Sequence, residues 1–359
     1  MRAYNFSAGP CALPLTVLQE VAAELVDFNG TGMSLIEMSH RGPDYDAIHH
    51  DALDRFRRLF NVPEDFSVLL LQGGATLQFT MAPLNASKPD DAIGYVVAGT
   101  WGKKAVADAK LLRPNTYTAW TGAADGFRAM PSISDIQVSP GTRFVHVTSN
   151  ETIGGIRMAQ FHDPGVPLVA DMSSDYLSRP IPWDLFDLVY GGAQKNLGPA
   201  GLTVVFVRTS VIEAAPKNPS YLDYSYHAAA DSMANTPPVF PIWVTGKVLA
   251  WKEELGGVEA MQTRAARRSG QIYTAIDNSD GFYRSPVALE DRSHMNIVFR
   301  LQDESDEKRF LTEAEDAGML NLKGHRSVGG VRASVYNATP DESVTTLVEF
   351  MKNFQSSAG

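Results

Sequence analysis

In the run FDLVYGGAQKNLGPAG, Lys195 follows a buried, strand-like stretch and stands between two glycine-rich segments that permit tight turns. Such a lysine is either a solvated loop residue or a nucleophilic amine. Its neighbours Gln194 and Asn196 are neutral and no acid lies within several residues. A partly buried amine without a partner has a depressed pKa, which suits Schiff-base formation. The phosphate-loop pattern GxxxxGK[ST] is absent. Twenty-four residues upstream, PLVAD ends in Asp171. A strand-end carboxylate is commonly a helix cap or a metal ligand. Beside a Schiff-base lysine it has a third use, keeping a pyridine nitrogen protonated so that the ring acts as an electron sink.

Three further strand ends carry polar or aromatic residues. SVLLLQGGATLQF reads as a strand, a Gly-Gly turn and a helix, so that free N–H groups at Ala75 and Thr76 and the threonine hydroxyl form an anion site without a cationic side chain. It is not the GxGxxG of a dinucleotide fold. Trp101, after GYVVAGT, either covers a sheet edge or stacks on a planar ring. VTSNETIGG brings Asn150 and Thr152 to the third of these as amide and hydroxyl donors. A phosphate cradle, an aromatic platform, a hydroxyl, an acid and a lysine, all at the ends of successive strands, describe a site for pyridoxal 5'-phosphate.

The elements that must position these residues follow from hydrophobic periodicity. Pro14 opens a helix with Leu18, Val21, Ala22 and Leu25 at helical spacing, ended by Asn29-Gly30, and a second amphipathic helix runs from Asp44, a plausible N-cap, to Phe60. Apolar runs at 67–71, 94–98, 143–148, 167–171, 186–192 and 202–208 then alternate with helical stretches, the pattern of a mostly parallel sheet buried on both faces by helices. The Pro-, Ser-, Tyr- and Asn-rich stretch 213–241 is too long for a simple connection. A helix over 245–277 follows, then strand 294–301, helix 304–317, strands 319–323 and 330–336, and helix 340–354, a smaller α+β unit. The expected boundary lies near residue 260, giving a large domain 1–260 and a small C-terminal domain 261–359.

The chain has 359 residues, 31 Lys and Arg against 41 Asp and Glu, and a net charge of −10, a balance that repels nucleic acid and anionic membranes. Cys11 is its single cysteine, which removes intrachain disulfides and thiolate zinc sites. No metal site is expected. With no signal-peptide pattern and no apolar run of about 18 residues, the expectation is a cytoplasmic protein.

The motifs NFSAGP (5–10), SHRG (39–42), QGGATLQF (72–79), NETIGG (150–155), ADMSS (170–174), GAQKNLGPAG (192–201), NTPP (235–238) and KGHRSVGGVRAS (323–334) together resemble the phosphoserine aminotransferases, of the aspartate-aminotransferase fold type I. The resemblance covers essentially the whole chain. It implies a Schiff-base lysine at Lys195, a pyridinium partner at Asp171, ring stacking by Trp101, a cofactor-oxygen ligand at Thr152 and phosphate ligands at Ala75, Thr76 and Gln194. It further implies a homodimer in which Asn235 and Thr236 reach the neighbouring subunit's cofactor phosphate, and an N-terminal segment, 1–14, packed with the small domain. His40-Arg41 and His325-Arg326 resemble a clamp for the substrate's phosphate or side-chain carboxylate, and Arg332 its α-carboxylate fork. The implied reaction exchanges an amino group between glutamate and 3-phosphohydroxypyruvate, with 4-phosphohydroxy-L-threonine as a possible second substrate. Two positions depart from some members: Ala8 replaces a serine and Thr76 an arginine, which removes a cation from the clamp. Rival readings keep the cofactor but make the chain an alanine–glyoxylate aminotransferase or a cysteine desulfurase with Cys11 as nucleophile. A nicotinamide dehydrogenase lacks its GxGxxG, and a non-catalytic binding module leaves the pairing of Lys195 with Asp171 unexplained.

Overall fold

All six apolar runs are strands of one seven-stranded sheet in the computed structural model, which describes residues 2–358. Across the sheet the order is Phe66–Leu71, Thr203–Arg208, Phe186–Gly192, Leu168–Asp171, Thr142–Thr148, Ala92–Val97 and Thr116–Thr121. Every pairing is parallel except those of Thr203–Arg208, which runs antiparallel to both neighbours. The runs lack polar alternation because both faces are covered: Val204 and Phe206 pack with Phe56, Phe60 and Leu249 on one side, and Val205 and Val207 with Phe79 and Tyr190 on the other. The edge strand Thr116–Thr121, TYTAWT, has only two buried residues, and its half-polar pattern leaves it unmarked among the apolar runs.

Four expected boundaries move. The first helix is Leu15–Glu24, and Asn29-Gly30 belong to a separate 3-10 turn, Phe28–Gly30. The second helix, Pro43–Phe60, is capped by Gly42 with Pro43 at its start, so Asp44 lies in the first turn and is not the cap. The single helix expected over 245–277 is two, Val239–Glu254 and Gly257–Asp277. Gly256 breaks it with φ of 97°, a left-handed conformation that only glycine adopts at low cost. The expected strand 319–323 shortens to Met319–Leu320, which pairs in parallel with Tyr4–Asn5.

Beyond residue 280, Tyr283–Arg284, Asn296–Leu301 and Val331–Ser334 form an antiparallel sheet. Helices Glu304–Asp316 and Asp341–Ala358 cover it through Phe310, Leu347 and Phe354. The 213–241 stretch is held against helix Gly74–Ala86: Tyr224, fully buried, donates its hydroxyl to Gln78 Oε1 at 2.5 Å and its N–H to Asn85 Oδ1 at 2.9 Å. Among the described residues no helix is long and apolar enough to cross a membrane.

Candidate active site

A parallel sheet delivers residues to the carboxyl ends of its strands. Asp171 is the last residue of Leu168–Asp171, in register with Thr148 on one side and Tyr190 on the other. Lys195 follows Phe186–Gly192 by a turn whose successive carbonyls are all engaged. Leu197 and Gly198 N–H donate to Ala193 O at 3.0 and 2.9 Å, and Cys11 N–H donates to Gln194 O at 3.0 Å. Cys11 Sγ donates to Lys195 O, and Lys252 Nζ to Asn196 O. Lys252 is fully buried without a carboxylate partner among the described residues, and burial lowers its pKa to about 7.

The Lys195 amine donates to Thr152 Oγ1 at 2.6 Å and lies 5.8 Å from the centroid of the Trp101 ring. Desolvation lowers its pKa; Asp171 and Glu151 oppose that shift and Arg332 adds to it. The acids absent from its sequence neighbourhood are thus supplied by other strands. Burial raises the Asp171 carboxyl above the ordinary carboxylate range, against the opposing pull of Ser173 and Lys195. Its Oδ1 accepts from Ser173 Oγ at 2.6 Å and Ser173 N–H at 2.9 Å, while Oδ2 has no hydrogen-bond partner among the described residues. Ser173 Oγ also receives the Gly192 N–H at 3.1 Å, tying two strand ends together.

Ala75 and Thr76 occupy the first turn of helix Gly74–Ala86, ahead of its first backbone bond, from Leu77 N–H to Gly73 O at 3.4 Å. Gln194 is half-buried beside Lys195. Arg332, on Val331–Ser334, reaches Thr152 O with Nη1 at 3.5 Å, and its Nε is buried without a partner. His325 is half-buried, with Nδ1 2.7 Å from Ser327 Oγ; desolvation and the charges of Arg332, Arg326 and Lys104 lower its pKa. Arg326 lines a cleft with Lys308 and Lys323.

Two further expected groups lie on other loops. His40 and Arg41 precede helix Pro43–Phe60, His40 with Nε2 buried and unpartnered, Arg41 exposed and without an ion pair among the described residues. Asn235 and Thr236 line a small hollow with Gln72 and Tyr221, where Gln72 Nε2 donates to Thr236 O at 3.3 Å. No described hydrogen bond or ion pair joins either group to Lys195. Asn150, expected as a donor at the site, is turned into the interior, its amide bonded to Ser174 Oγ and Asn296 Oδ1, both at 2.9 Å.

Sequence reasoning missed Glu151, Ser173, Lys104 and Lys252. Lys104 lies 4.6 Å from the Trp101 ring centroid, one helical turn along from it. The signal for Glu151 was a lone acid within a run of small polar residues, Thr148 to Thr152, at a strand end; for Lys252, a lysine on the apolar side of a helix. Among the described residues no three His, Cys, Asp or Glu side chains group as metal ligands would.

The family model described as class-V aminotransferase matches residues 3–347. A phosphoserine aminotransferase of Laribacter hongkongensis is 50% identical over 355 residues, covering 99% of both chains. One from Niallia circulans is 48% identical over 360 residues, covering 100% of this chain and 99% of its own. The solved phosphoserine aminotransferase from Bacillus circulans subsp. alkalophilus superposes with a TM-score of 0.97 at 48% identity, over 100% of this chain and 99% of that one. With a lysine, an acid and a stacking-competent tryptophan at the ends of a mostly parallel sheet, the chain belongs to the class-V aminotransferase family.

Proposed function

We propose that the chain binds pyridoxal 5'-phosphate and exchanges an amino group between L-glutamate/2-oxoglutarate and O-phospho-L-serine/3-phosphohydroxypyruvate, a step of serine biosynthesis. The observation that carries this reading is the desolvated Lys195 amine, 2.6 Å from Thr152 Oγ1 and flanked by Trp101, Asp171 and Arg332.

Groups left unpaired around that amine fit the cofactor: Asp171 Oδ2, whose neighbour Oδ1 takes both of the residue's hydrogen bonds, the buried Arg332 Nε, and the helix-start N–H groups at Ala75 and Thr76. In this reading Lys195 attaches the cofactor, Asp171 partners its ring nitrogen, Trp101 stacks on the ring, Thr152 takes its oxygen, and Ala75, Thr76 and Gln194 receive its phosphate. When bound, its protonated ring supplies a sink for the electron pair left as a proton leaves the substrate's Cα. Lys195 Nζ takes that proton, and the lowered pKa favours the neutral amine the task needs. Arg332 holds the α-carboxylate as a two-pronged donor, which orients the Cα–H bond. His325 and Arg326, with His40 and Arg41, meet the phosphate or the second carboxylate.

The reading extends to a homodimer in which Asn235 and Thr236 complete the neighbouring subunit's phosphate site, to a cytoplasmic location, and to 4-phosphohydroxy-L-threonine in pyridoxine biosynthesis as a second substrate. It divides the chain near residue 260 into a cofactor domain and a small C-terminal domain. The desulfurase alternative loses ground on Cys11, whose thiol is pushed up to about 12 by burial and donates to Lys195 O. Glutamate-dependent amination of phosphohydroxypyruvate, compared with pyruvate, glyoxylate and oxaloacetate, tests the substrate; preference for glyoxylate would overturn it. A purified protein that stays colourless with added pyridoxal phosphate would overturn the whole reading.

A further inference from the structure

Glu151 is fully buried at the strand end that also carries Thr152, and it forms no ion pair among the described residues. Its two oxygens are spent on a different element. Oε2 accepts the N–H of Trp101 at 3.2 Å and Oε1 the N–H of Gly102 at 2.9 Å, so the carboxylate seats under the first turn of helix Thr100–Leu112, 50 residues away in the chain. That helix has no capping side chain of its own. The fit is close: a Cβ at Gly99 would meet Glu151 Cδ at 2.5 Å and Oε2 at 2.7 Å. A carboxylate accepting two N–H groups at a helix start is held both by charge-assisted hydrogen bonds and by the helix dipole.

We infer that Glu151 is a positioning residue: it fixes the backbone of Trp101 so that the indole stands over the Lys195 amine, and it places a second carboxylate beside Asp171 in the field of that amine. The inference rests on the aminotransferase reading above. The groups facing Glu151 are Asp171 from its strand, Lys195 from its turn, and the two N–H groups of the helix start. Burial raises the Glu151 carboxyl to about 7, with Asp171 adding to the rise while the Gly102 and Trp101 N–H groups and Lys195 oppose it.

The test uses full-length holoenzyme and the Glu151→Gln variant, which keeps the side-chain volume but turns one acceptor into a donor facing an N–H. Cofactor affinity is read by titrating pyridoxal phosphate into stripped protein, and the charge effect by following the bound cofactor's absorbance against pH. Glu151→Gln should weaken cofactor binding about tenfold, the scale of one lost charge-assisted hydrogen bond. The midpoint of the absorbance change should fall by about one pH unit, because removing a nearby negative charge disfavours the protonated form of the Lys195 nitrogen. In a Trp101→Ala background the same substitution should cost less than twofold in affinity, since Glu151 acts through the indole. A lower melting temperature with unchanged affinity and midpoint would reduce Glu151 to a structural cap and overturn the inference. Should Glu151→Gln not fold, Gly99→Ala decides: it displaces the carboxylate without removing its charge, so affinity should fall several-fold while the midpoint moves by less than a full pH unit, and wild-type affinity would again overturn the inference. Wild-type protein that takes up no pyridoxal phosphate would instead refute the aminotransferase reading itself.

Discussion

Lys195 is an amine withdrawn from water and given a hydroxyl for its hydrogen bond, with its nearby carboxylates acting only through space. An amine so placed costs little to deprotonate, and the rest of its turn is pinned so that it cannot swing out to solvent. Replacing Lys195 with Ala should abolish turnover, and borohydride treatment of the loaded enzyme should attach the cofactor at Lys195; peptide mapping that finds the label on another lysine would refute the assignment. Arg332→Ala should raise KM for both amino donors by tenfold or more, the scale of losing a bidentate contact; a change in only one would mean that Arg332 serves a single substrate. Lys252 offers a separate test through pH. Its folded pKa, about 7, lies below the unfolded value of 10.5, so the unfolded chain binds more protons between those values and wild-type stability should rise with pH across that window. Lys252→Met removes that slope. Melting curves at pH 7 and pH 9 should therefore show the wild type gaining on the variant as pH rises, and parallel changes would mean that Lys252 is not buried as a titrating amine.

At the scale of elements, the break at Gly256 lets helix Gly257–Asp277 turn away from Val239–Glu254, which packs along Pro43–Phe60. Gly256→Ala forces a side chain into the left-handed region and should cost about 1–2 kcal/mol of stability, measured by denaturant melts, with cofactor affinity unchanged. That break was hidden in the sequence because the residues either side of it are all helix formers or apolar, and a Gly-Gly pair is as readily a weak point within a helix as its end. The six sheet strands were legible because burial on both faces leaves an unbroken apolar run, whereas Thr116–Thr121 was not, since an edge strand mixes exposed threonines and a half-buried tyrosine with its apolar residues. The grouping of Lys195, Asp171, Thr152 and Trp101 was legible for a topological reason: each follows a run that parallel strands must bring to one edge. Glu151 was not, because its task is defined by two N–H groups 50 residues upstream.

For the whole molecule, a net charge of −10 means that in the proposed function anion binding falls to a few groups, the cations Lys104, Arg326 and Arg332, the imidazole of His325 and the start of helix Gly74–Ala86. In the proposed homodimer Asn235 and Thr236 serve a neighbour's site, so two inactive variants should rescue each other. Co-expressed Lys195→Ala and Asn235→Ala chains should form mixed dimers with one complete site and more activity than either variant alone; no gain would mean that each chain completes its own site.

The pinning of the Lys195 turn has a consequence for how the protein is made. Two of its carbonyls are held by Cys11, in a segment whose Tyr4–Asn5 pairs with Met319–Leu320 and whose Ala8 O receives the Tyr336 hydroxyl at 2.9 Å. These residues are synthesised more than 300 residues ahead of those partners. At about 5–20 residues per second the segment waits roughly 15 to 60 s before its strand can pair. A chain that ends before residue 319 would carry Lys195 and Cys11 but not the strand and hydroxyl that seat the Cys11 segment, and is expected to hold the cofactor more weakly than the full chain.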